Sequence, residues 1–170
     1  MITPANALFQ LFTVEQFCVS IEDMPAEPAL RDPSVFYAIS GTKMPDFLDC
    51  PNHFIAILDM DYVQAEMSRY ISDGVSSDQA NVKISVRTTD YIAGSEKIHH
   101  LARTLDTLDN YVIAVPSDNR GEFDARNNIP RSAEKRVIAK CSRLETIRDR
   151  GLDGTLRRYL FEVVYTVRFL

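Results

Sequence analysis

Three histidines and three cysteines are the residues of this 170-residue chain most suited to chemistry, so their spacing is the first test. Glu96, His99 and His100 stand close together in "SEKIHH". On a helix, residues three and four apart share a face, and a carboxylate with an imidazole there can bind a metal. Such a site needs further helices bearing the same pattern, and none is present; a solvated helix flank is the better reading. Asp59 and Asp61 in "DMD" resemble a cation clamp, but adjacent acids at a strand end usually form a solvated turn or a helix start. Cys50 and His53 could pair as nucleophile and base, yet Pro51 adjoins the thiol and no third group orients the base. The loops GxGxxG and GxxxxGK(S/T), which cradle phosphates, are absent, as are GxSxG and HExxH. We expect no catalytic residues, no cofactor and no metal.

The cysteines Cys18, Cys50 and Cys141 are far apart and odd in number. A disulfide framework or a zinc site would want pairs, so we read them as reduced thiols of a protein made inside the cell. Apolar runs such as 54–58 and 111–115 are strand-sized and too short to cross a bilayer. The first residues lack the basic flank and long apolar core of a signal peptide, so neither a membrane span nor export is expected.

The elements that must position these residues follow from periodicity. Thr3 and Pro4 are a helix cap and first turn, with Ala7, Leu8, Leu11 and Phe12 on one face. "MPAEPALRDP" reads as an extended connector, because its prolines forbid regular helix. "SVFYAIS" and "HFIAILDM" read as strands, and "DYVQAEMSRYISDG" as a helix with a thin apolar face. In "NVKISVRT", Val82, Ile84 and Val86 alternate with polar residues, as in a half-buried strand. The period then changes. Asp90 caps a helix whose stripe is Ile98, Leu101, Ala102, Leu105 and Leu108, with Asn110 as its stop. "YVIAVP" is the next strand, so 81–116 reads as a right-handed crossover joining parallel strands.

Residues 117–136 form a long charged loop with 4 acids and 5 bases. "VIAKCSRL" is a strand, "ETIRDRGLDGTLRR" a charged turn, and "RRYLFEVVYTVRFL" a strand with Tyr159, Phe161, Val163, Tyr165, Val167 and Phe169 on one side. These last strands form an antiparallel pair. The whole is one α+β domain over 1–170. It has a mixed β-sheet of four to six strands, one main amphipathic helix over about 90–109 packed on one face, and a short N-terminal helix near it.

Net charge is −5, which disfavours bulk binding to DNA. Its distribution is uneven. Residues 1–80 hold 3 Lys and Arg against 12 Asp and Glu, a net of −9; residues 81–170 hold 16 against 12, a net of +4. Two readings stay open: chance segregation within a fold whose halves interleave, or an acidic side and a basic side that dock head-to-tail on further copies.

The order of features resembles the tail terminator (tail completion, or minor capsid) proteins of long-tailed bacteriophages. "VKISVRTTDYIAGSEKIHHLARTLDTL" is similar to that family's strand followed by an amphipathic helix ending in LxxL. "VFYAISGTKMPDF" looks like its strand and Gly/Pro loop, and "RGLDGTLRRY" with the strand after it like its closing hairpin. The resemblance implies a non-enzymatic virion subunit that forms a ring, often a hexamer, at the head-proximal end of the tail. The ring would end the tail tube protein's polymer and dock to the head-connector or stopper protein, with DNA only as passing cargo and no membrane. Subunit contacts would then fall on the charged loop and turn: Arg120, Glu122, Asp124, Arg126, Arg131, Arg148, Arg150 and Arg157. Another neck, head-completion or tube-like protein is the alternative. So is an unrelated cytoplasmic α+β binding protein, or an enzyme with an unrecognised site.

Overall fold

In a computed structural model of the chain, the described residues are 3–41, 50–60, 78–115, 123–124, 129–130, 134–153 and 157–170. Helix α1 spans Pro4–Val14. Strands β1 (Val19–Ser20), β2 (Phe36–Gly41), β3 (His53–Asp59) and β4 (Asp78–Thr88) follow, then helix α2 (Tyr91–Asp106). The remaining strands are β5 (Asp109–Val115), β6 (Phe123–Asp124), β7 (Ile129–Pro130), β8 (Glu134–Arg143), β9 (Arg148–Asp153) and β10 (Arg158–Phe169). The fold is α+β. One mixed eight-stranded sheet has the order β1-β2-β3-β4-β10-β8-β5, with β9 also paired to β10, and β6 with β7 forms a separate two-stranded ladder.

Both helices start where their caps dictate. The Thr3 side chain accepts a hydrogen bond from the Asn6 amide and Pro4 occupies the first turn. Asp90 accepts from the Ile92 and Ala93 amides. A second carboxylate serves α1 from outside, since Asp59 at the end of β3 accepts the Ala5 amide at 2.9 Å. An anion at a helix N-terminus also meets the positive end of the helix dipole.

The last strand is the frame of the sheet. It pairs antiparallel with β4 along its whole length, from Tyr159 opposite Thr88 to Phe169 opposite Asp78. On its other side β9 covers its first half and β8 its second. Its odd-numbered residues from Phe161 to Phe169 are all buried, as the alternation predicts, and Tyr159 at the start of that face is partly buried against the same core. They join Ile55, Ile57, Val82, Ile84 and Val86 in one core with Leu8, Leu11 and Phe12 of α1 and Ile98, Leu101 and Leu105 of α2. Each such fully buried side chain stabilises the fold by roughly 1.5–3 kcal/mol. Because α1 touches β2, β3, β4 and also β5 at the far end of the sheet, the sheet curls around the helices. The Tyr111 hydroxyl of β5 donates to Glu15, just past α1, and holds that curl closed. Tyr165 sets the other helix: its hydroxyl lies 3.0 Å from the Ala102 carbonyl and 2.8 Å from Asp106 Oδ1, which share its one proton.

Four expectations need correction. The sheet has eight strands rather than four to six. The extra ones are the two-residue β1 and the charged β9, where the sequence predicts a turn; edge strands need no apolar alternation, so the sequence masks them. Second, β4 and β5 are neither adjacent nor parallel. Three antiparallel steps, through β10 and β8, separate them. Third, α2 ends at Asp106 with Thr107 as its C-cap, and Asn110 lies inside β5 with a left-handed φ of 47°. That conformation, which Asn tolerates better than most residues, turns the chain onto the far edge instead of capping the helix. Fourth, the 117–136 segment is not wholly structureless: Phe123–Asp124 pairs with Ile129–Pro130, and β8 already begins at Glu134. The helix expected from "DYVQAEMSRYISDG" lies outside the described residues, as does Pro116.

Candidate protein interaction surface

The outward face of the sheet has two parts. Over β2 and β3 it is apolar, with Tyr37, Phe54, Ala56 and Leu58 covered by Ile21, Met24, Val35 and Ile39. Over β4, β10 and β9 it is charged. Glu162 of β10 accepts from Arg150 Nε of β9 at 2.9 Å and lies 3.7 Å from Lys83 Nζ of β4. Arg148 pairs with Glu145 at 2.6 Å. These side chains line a shallow groove of about 220 Å³ that includes Met60 and Val164. The arginine side chains are half exposed, 48% for Arg148 and 49% for Arg150, so water screens their ion pairs and either can exchange partners at little cost.

Of the eight residues expected to make contacts, Arg148 and Arg150 are thus brought together on β9, and Arg157 is exposed at the start of β10's hairpin with a φ of 50°. Asp124 lies in β6. Arg120, Glu122, Arg126 and Arg131 lie outside the described residues.

Sequence reasoning missed an apolar companion to the arginines. Leu152, opposite Tyr159 on the other side of the same hairpin, is 54% exposed, and Ile92 at the start of α2 is 67% exposed. Tyr91 ties the two elements together. Its ring stands edge-on to Tyr159 at 5.3 Å and its hydroxyl donates to Asp149 at 2.7 Å. That bond holds the Asp149 carboxyl below the usual carboxylate range. The signal was present as large apolar residues out of phase with the helix stripe.

The residues weighed for chemistry have structural partners. His53 is buried, stacks on Phe36 at 4.5 Å and shares a 2.7 Å hydrogen bond with Thr88 Oγ1. Thr88 in turn donates to the Asp90 carbonyl and accepts the Asp90 amide, which leaves its second lone pair for His53 Nδ1–H. Burial lowers the His53 pKa, against a raising effect of Asp90 and with help from Arg158 and Lys97. The Cys50 carbonyl accepts from Arg158, so this loop is held by its backbone. His99 bonds the Ser95 carbonyl and His100 stands edge-on to Phe17. Among the described residues no cluster of three or more His, Cys, Asp or Glu is placed to hold a metal ion. Cys18 and Cys141 are buried, which pushes both thiols up to about 12. Among the described residues no helix is long and apolar enough to cross a membrane.

The sheet order decides between the two readings of the charge split. In the strand order β1–β3 lie on one side of β4, and β10, β9, β8 and β5 on the other, while α1 packs across the curl from β2 to β5. Within the sheet the strands of the two halves are therefore laid side by side and do not alternate. The described residues before β4 carry six acids and one base, while 134–153 and 157–170 carry nine bases and five acids. No known protein family and no curated protein matches this chain.

Proposed function

We propose that this chain is a non-enzymatic structural subunit that assembles head-to-tail into a ring, as a tail terminator does at the head-proximal end of a long phage tail. The observation that carries the reading is where the charges fall: the acids of the described residues before β4 lie mostly in the connector that runs beside β2, with Glu22, Asp23, Glu27 and Asp32, while the bases gather on β8–β10, on the other side of β4 in the strand order. Opposite charges on two different surfaces of one molecule favour a heterologous contact, and a heterologous contact that closes is a ring. The α+β fold with both helices on one face of a mixed sheet agrees with the resemblance noted in the sequence, which supplies the phage assignment. In this reading its partners are further copies of itself, six in the tail, together with the tail tube protein and the head-connector protein. DNA passes through the lumen as cargo.

Negative-stain microscopy of the purified protein, alone and with tail tubes, tests the proposal. Rings with a central hole, seated on tube ends when tubes are present, are the expected result. A protein that stays monomeric at all concentrations and leaves tube ends bare would overturn it.

A further inference from the structure

The proposed ring leaves open which surfaces meet. We infer that the β9–β10 hairpin of one copy docks onto the acidic segment 21–32 of a second copy, an assignment that rests on the ring reading above.

The hairpin offers three things together. Among the described residues, β9 has β10 as its one strand partner, and no described strand lies along its outer backbone edge. Arg148 and Arg150 project from one side of it, half exposed. Leu152 and Ile92 are exposed on the other. An open strand edge with exposed apolar residues is a site for association unless it is blocked. Gly151 has a φ of 74° and open space where a side chain would stand, so the edge is uncrowded at its middle.

The acidic segment is the complement. It runs beside β2 through two single 3-10 turns, Ile21–Asp23 and Pro28–Leu30. Glu22, Asp23 and Glu27 are exposed, and Leu30 is 68% exposed among them. The carboxylates of Glu22, Asp23 and Glu27 match the guanidinium groups on one side of β9, and Leu30 among them gives the apolar Leu152 at the same strand a counterpart. The two surfaces cannot satisfy each other within one molecule, because β3, β4 and β10 stand between β2 and β9. A second copy is the occupant that this complementarity specifies, and the contact is heterologous because the two patches differ.

The test uses the full chain and two charge-reversed variants, R148E/R150E and E22K/D23K/E27K. All the changed residues are exposed or half exposed, and circular dichroism confirms that each variant folds. Native mass spectrometry and light scattering at about 0.15 M salt, where the Debye length is about 8 Å, read the assembly. Each variant alone should lose self-association by about tenfold or more. The two mixed in equal amounts should recover the wild-type mass, since one junction then has the native pairing and the next has it reversed. Wild-type assembly by R148E/R150E alone, or no recovery on mixing, would overturn this interface while leaving the ring intact. A wild-type chain that never assembles, even with tail tubes, would overturn the ring and this interface with it.

Discussion

Adding one carbon at Gly94 should destabilise this protein, although helix propensity says the opposite. Gly94 lies buried in the first turns of α2, where Ala is favoured over Gly by about 1 kcal/mol. A Cβ there would meet Thr88 Cγ2 at 2.2 Å and Phe161 Cε2 at 2.9 Å, both under the 3.0 Å that real Cβ contacts respect. Thr88 is the stiffer obstacle. Rotating its methyl away takes Oγ1 from His53, from the Asp90 amide and from the Asp90 carbonyl. Each such bond is worth about 0.5–1.5 kcal/mol. Losing two or three of them outweighs the gain in propensity, so Gly94→Ala should cost a net of about 2 kcal/mol, within the usual range for overpacking. For a chain of this size that is a fall in Tm of about 4–8 °C. Urea unfolding of four proteins measures it: wild type, Gly94→Ala, Thr88→Ser and the double variant. Serine keeps Oγ1 and lacks the offending methyl, so the double variant should recover much of the loss, a coupling of about 1 kcal/mol or more. A Gly94→Ala protein more stable than wild type, or costs that simply add, would refute the packing argument.

Other predictions concern buried groups. His53 has a folded pKa below its unfolded value, so its contribution is present above about pH 6.5 and is lost as pH falls through the lower folded pKa. Stability measured by urea should therefore fall between pH 7 and pH 5.5, and His53→Gln should flatten that slope. Tyr165→Phe removes the hydroxyl that joins Ala102 and Asp106 of α2 to Arg143 of β8 and should cost about 1–3 kcal/mol in denaturant unfolding. Of the three cysteines only Cys50 should react quickly with a chromogenic disulfide at pH 8, because Cys18 and Cys141 are buried with thiols held up at about 12. Fast labelling of two or three thiols in the native protein would contradict that.

The elements that are legible in the sequence are those with strong local signals. Thr3 with Pro4, and Asp90 before its stripe, cap helices wherever they sit, because a cap is satisfied within a few residues. The alternation in β4 and β10 survives because both strands are central and bury one face against the helices. Edge strands escape this logic. In β9, "RDRGLD" has no apolar alternation, and its place in the sheet comes from backbone pairing to β10 and from the Glu162–Arg150 bond, neither of which leaves a periodic trace. The charge of Arg148 and Arg150 is legible in the sequence, while the strand that carries them is not.

The direction of β5 is the deeper failure, and it bears on function. A strand–helix–strand stretch of this length defaults to a parallel crossover, which would have put β5 beside β4. Here the long strand β10 occupies that position, because its alternating face and full-length register with β4 offer more buried pairing than β5 could. The seven-residue β5 is displaced to the far edge, beyond β8, and reversed at Asn110. With β10 and β8 inserted between β4 and β5, the basic last third lies together on the side of β4 away from β1–β3 in the strand order. Had β5 paired with β4, the basic strands would have been pushed elsewhere and the charge split of the sequence need not have become a polarity of the molecule. The same C-terminal strand that builds the core thus also sets the two unlike surfaces on which the proposed head-to-tail contact depends.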